Sequence, residues 1–60
     1  MFQFVLRLDD GNIIEFKRPN TDKALKYARK QAAFHDSDGT LYIRGIDQEY
    51  YVLFIRRCDA

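Results

Sequence analysis

The chain has 60 residues, of which 47% are hydrophobic, 32% charged and 15% aromatic, and its formal net charge is +1. A chain this short buries only about 60% of the surface its unfolded form exposes, so it makes one domain, residues 1–60, around one core. The composition excludes a disordered or low-complexity chain, and the charge is far from that of the strongly basic domains that usually bind nucleic acid.

Phe2, Phe4, Leu6 and Leu8 alternate with Gln3, Val5 and Arg7, the period of a half-buried strand. Asp9-Asp10-Gly11 is turn chemistry and Asn12 to Arg18 alternates again, which predicts a hairpin. Parity selects its loop. A two-residue loop of Asp10 and Gly11 would oppose Leu6 to Glu15 and Phe4 to Lys17, setting charges on the apolar face. A three-residue loop, Asp9 to Gly11 with Gly11 in the left-handed position, pairs Leu6 with Ile14 and Phe4 with Phe16.

Pro19 ends the strand pattern, and Asn20 or Thr21 is suited to cap a helix that carries Asp22 in its first turn and runs to about Phe34. Ala24, Leu25, Ala28 and Ala32 form a narrow stripe of mostly small side chains that lets the helix lie close on a sheet, with Tyr27 and Phe34 widening one flank. After the breaker cluster His35 to Gly39, Thr40 to Ile46 reads as a third strand. Glu49 to Arg57 reads as a fourth, joined to it through Asp47 and Gln48. The predicted fold class is α+β, a single ββαββ domain of antiparallel hairpins with one helix on one face of the sheet.

The fourth strand is apolar on both sides, with Tyr50, Val52 and Phe54 facing one way and Tyr51, Leu53 and Ile55 the other, although one helix covers one face only. Val5 and Ile13 also oppose the main apolar side of the first hairpin, which predicts a contiguous apolar and aromatic patch on the uncovered face. The alternative is a central, strongly twisted fourth strand whose second face is shielded by the stems of Arg7, Lys17 and Arg44. The patch makes Tyr50, Val52 and Phe54 the candidate protein interface. Its expected partners are a second copy of the chain, forming a homodimer, and a further protein.

Charge is unevenly spread: residues 17 to 30 hold six basic side chains and one acid, a balance of +5, and residues 36 to 49 hold four acids and one base, a balance of −3. Lys17, Arg18, Lys23, Lys26, Arg29 and Lys30 are therefore candidate phosphate contacts for a nucleic acid, the second functional reading. Tyr42, Tyr50, Tyr51 and Phe54 are the aromatics that stacking on single strands would use.

Catalysis is not expected, because the chain has one histidine, one cysteine and no Gly-rich phosphate loop. His35 with Asp36 and Asp38 is the one concentration of base and carboxylates, in a helix-ending turn where such residues are structurally favoured. A calcium loop fails there, since Gly39 at its sixth position puts Phe34 at the first ligand and Gly45 at the twelfth. Cys58 follows Arg56 and Arg57 but has no second cysteine, and no cofactor or metal is expected. The first residues lack the long apolar stretch of a secretory leader, and the longest apolar run, Tyr50 to Ile55, is far short of the roughly 20 residues of a membrane helix. With the single cysteine, these features predict a cytoplasmic, regulatory protein without a membrane segment.

Overall fold

The structure, a computed structural model, describes residues 1–57. Its elements follow the order β1 (Phe2–Leu8), β2 (Ile13–Arg18), α1 (Thr21–His35), β3 (Gly39–Arg44) and β4 (Glu49–Ile55). The four strands form one antiparallel sheet in the spatial order β2-β1-β3-β4, and α1 lies on one face of it. The α+β class and the ββαββ order expected from sequence are thus observed.

The first hairpin adopts the register that parity selected, with Leu6 opposite Ile14 and Phe4 opposite Phe16. Gly11 sits at φ +99°, the left-handed region where a side chain is strained, and its N–H donates to the Leu8 carbonyl. The Asp10 carboxylate accepts from the Asn12 backbone and side-chain amides, completing the turn.

Asn20 caps α1, its side-chain oxygen accepting from the Lys23 N–H at 2.9 Å. At the other end Asp36 takes a left-handed conformation (φ 52°, ψ 46°) while the Ser37 N–H reaches back to the Ala32 carbonyl. This is a Schellman closure with Asp where Gly is usual. Ser37 is buried, but its hydroxyl accepts from the Asp10 N–H and donates to the Asp38 carbonyl. The Asp9 N–H bonds to that same carbonyl, so the first hairpin turn is tied to the entry of β3.

Ala24, Ala28 and Ala32 are fully buried against Phe4, Leu6, Leu8, Phe16, Leu41 and Ile55. The small stripe brings the helix close to the sheet, as its spacing predicts. Tyr27 flanks it, 4.5 Å from the Phe16 ring. Phe34 does not: it is 80% exposed, its ring T-shaped against that of His35. At 100° per residue Phe34 lies about 120° from Ala28 and Tyr27 about 100°, so both sit at the margin of the stripe, where Tyr27 is held by the Phe16 ring and the Arg18 guanidinium.

The second hairpin is shorter than its pattern suggested. The Gly45 N–H donates to the Gln48 carbonyl, closing the turn after Arg44 and leaving Ile46 fully in solvent. A side chain at Gly45 would strike the Tyr50 ring, which lies against it.

Candidate interaction surface

The sheet has two free edges, and they differ. At β2 the edge carries Glu15, Lys17 and Arg18 and ends at Pro19, the charges and proline that discourage strand addition. The β4 edge has no charged residue or proline between Glu49 and Arg56. Its outward backbone groups are flanked by Tyr50, Tyr51, Leu53 and Phe54, which are 51%, 63%, 37% and 43% exposed, respectively.

That placement corrects the alternative in which β4 is central, because among the described residues β4 pairs only with β3. It also divides the residues expected to act together. Leu41 opposes Leu53 but Tyr42 opposes Tyr51, so Val52 is an extra residue, a bulge, and alternation breaks there. Ile43 faces the helix beside Phe4, so Tyr50, opposite Ile43, also lies on the helix side. Val52 packs against the core, and Phe54, opposite Thr40, lies on the open side. Tyr50, Val52 and Phe54 therefore do not share one face, and neither do Tyr51, Leu53 and Ile55.

The open face is not the contiguous aromatic patch the sequence suggested. Its centre is a polar lattice contributed by all four strands. Glu49 accepts from Arg7 at 2.9 Å and from Arg44 at 3.2 Å, Arg44 also meets Glu15 at 3.2 Å, and Gln3 donates to Glu15. The Arg7 guanidinium lies 5.7 Å from the Tyr42 ring centroid, and Tyr42 meets Tyr51 edge-on. Val5, between Glu15 and Tyr42 in register, is completely buried beneath this lattice, while Ile13 stays exposed on the far strand. Arg7 and Arg44 thus shield the face as ion-paired groups; Lys17 forms no ion pair among the described residues.

Hydrogen bonds from Arg7 and Arg44 hold the Glu49 carboxyl below its ordinary pKa, and the Asn12 backbone N–H lowers that of Asp10. A carboxylate with a depressed folded-state pKa contributes stability in full above its unfolded value, near 4, and loses it as pH falls through the folded value. Thermal stability is therefore expected to be flat from neutrality to about pH 5 and to decline below about pH 4. Glu49→Gln should flatten part of that decline in melting curves recorded against pH.

The basic residues also divide. Lys23, Lys26, Arg29 and Lys30 are exposed on the outer side of α1, and among the described residues none forms an ion pair. Lys17 lies on the opposite layer, across from Gln3 on the open face of the sheet. Arg18 is half-buried in packing, its guanidinium 4.3 Å from the Tyr27 centroid and 5.4 Å from that of Phe16. That stacking joins β2 to α1 and was not visible in the charge pattern.

Near the helix end, Arg57 donates its backbone N–H to the Asp38 carboxylate and lies 3.7 Å from that of Asp36, so both acids serve the turn. Among the described residues no group of three or more His, Cys, Asp or Glu side chains is placed to hold a metal, and no helix is long and apolar enough to cross a membrane. Cys58 lies outside the described residues. No known family model, curated protein or solved structure matches the chain.

Proposed function

We propose that the chain is a small non-catalytic protein-interaction module whose working surface is the outer edge of β4. The observation that supports this reading is the contrast between the two sheet edges: β2 is guarded by charge and proline, whereas β4 carries neither from Tyr50 to Ile55 and exposes Tyr50, Tyr51, Leu53 and Phe54. A partner strand added there satisfies the outward backbone groups and covers Tyr51 and Phe54 on one side and Tyr50 and Leu53 on the other. The Arg7, Arg44, Glu15 and Glu49 lattice stiffens the sheet behind that edge. In this reading the protein acts in the cytoplasm as an inhibitor, adaptor or regulator.

The experiment is capture of binding proteins from extract with the wild-type chain and with the Tyr51→Lys/Leu53→Lys variant. Both positions are exposed, so the variant is expected to fold with an unchanged circular dichroism spectrum. Partners retained by the wild type and lost by the variant are the expected result; an identical set with both proteins rejects the edge as the binding surface.

The second reading, nucleic-acid binding, is favoured by the four exposed basic residues of α1. It predicts binding that weakens steeply with salt and is lost on charge reversal of Lys23, Lys26 and Lys30. Titration of labelled single- and double-stranded nucleic acid at low salt separates it from the first.

A further inference from the structure

Building on β4 as the working edge, we infer that the strand it accepts is the β4 of a second copy, antiparallel about a two-fold axis between Val52 and Leu53, with Glu49 opposite the second copy's Arg56. Directly opposed residues of an antiparallel pair point to the same face. In a strand that alternates throughout, a two-fold axis normal to the sheet must therefore set some residue opposite its own copy. β4 does not alternate throughout, because the Val52 bulge interrupts it.

Glu49 lies on the open side, bonded to Arg7 and Arg44. Tyr50 follows on the helix side and Tyr51 on the open side, where it meets Tyr42. Val52, packed on the core, and Leu53, opposite the buried Leu41, both lie on the helix side. Phe54 is open, Ile55 is buried under the helix, and alternation carried one step further puts Arg56 on the open side. Read forward from Glu49 or backward from Arg56, the order of faces is the same.

The chain is thus self-complementary in one register. Val52 opposes Leu53, Tyr51 opposes Phe54, Tyr50 opposes Ile55 and Glu49 opposes Arg56, each pair on a single face. Sliding by one residue breaks this: Val52 opposite itself would set Tyr51 of the open side against Leu53 of the helix side. In the matched register all four exposed apolar side chains of the edge find apolar neighbours, and both ends of the paired strands are closed by opposite charges. The product is a continuous eight-stranded sheet with both helices on one face, and its outer edges are the two charged β2 strands.

The test is an isotope-filtered nuclear Overhauser experiment on an equimolar mixture of ¹³C-labelled and unlabelled wild-type chains. Intermolecular contacts between the Tyr51 and Phe54 rings and between the Val52 and Leu53 methyls are expected. Contacts of Val52 with Val52, or of Tyr50 with Phe54, would overturn this register while leaving the β4 edge as the binding surface. Absence of any intermolecular contact at β4 would overturn self-pairing altogether. In that case capture that still depends on Tyr51 and Leu53 would retain the edge with a different protein on it, and capture indifferent to them would reject both. Independently, Arg56→Glu sets carboxylates opposite each other at both ends and is expected to weaken dimerisation at low salt by at least about tenfold. An unchanged dissociation constant in sedimentation equilibrium contradicts the Glu49–Arg56 pairing.

Discussion

Phe4→Ala is expected to leave the chain largely unfolded at room temperature. Phe4 is fully buried on β1, one of the two inner strands, opposite Phe16 on one side and Ile43 on the other. Its ring stacks on that of Phe16 with centroids 5.8 Å apart. Truncating such a side chain typically costs about 3–5 kcal/mol in lost transfer free energy and residual cavity. A domain of this size has a total stability of only about 3–9 kcal/mol, so the substitution removes most or all of it. Urea unfolding monitored by circular dichroism measures the effect. A loss below about 1 kcal/mol would mean that the space beneath α1 collapses far more readily than its alanine stripe implies.

The second large effect is expected from Gly39→Ala, although a methyl group is a small addition. Gly39 opens β3 opposite Leu8 on β1 and Ile55 on β4. A Cβ there would lie 2.8 Å from Leu8 Cδ2 and 2.9 Å from the Arg7 carbonyl oxygen. The leucine can rotate, but the carbonyl belongs to the β1 backbone, so relief requires the inner strands to separate at that end. A destabilisation of about 1–3 kcal/mol is expected from such overpacking. At roughly 4–8 °C per kcal/mol for a domain of this size, the melting temperature should fall by some 5–20 °C. An unchanged melting temperature would show that β1 and β3 separate there without cost.

Much of the fold was legible in the sequence because its signals are local. Gly11 and the alternation on either side of it settle the hairpin register, since a one-residue slip would drive Glu15 and Lys17 onto the core face. Pro19, Asn20 and the alanine spacing mark the start of α1 and its buried side. The candidate surface was legible only in part. Tyr50 to Ile55 is uniformly apolar, so it carries no period from which a bulge at Val52 could be read, and both proposed sets of three inherited an alternation that the strand does not keep.

The position of β4 at an edge is likewise not a local property. It follows from α1 carrying the chain across to the far side of β1, so that β3 pairs with β1 and β4 takes the edge beyond β3. The ion-paired lattice joins residues from strands far apart in the chain, as Arg7 does with Glu49. No window along the sequence contains it, although charges at Arg7, Glu15, Arg44 and Glu49, all on the side opposite the core, were a usable sign that this face is polar. Arg18 illustrates the opposite difficulty: a cation counted with a basic cluster is held by two aromatic rings.

The proposed self-pairing of two copies through the outer edge of β4 is put to the test by amide hydrogen exchange measured over a range of protein concentrations. The β4 amides that do not donate to β3 are expected to exchange quickly in dilute solution and to become protected as concentration rises, while those on the outer edge of β2 stay fast at every concentration. Exchange at β4 that is independent of concentration, or protection that grows on β2 or on the outer side of α1 instead, would contradict it.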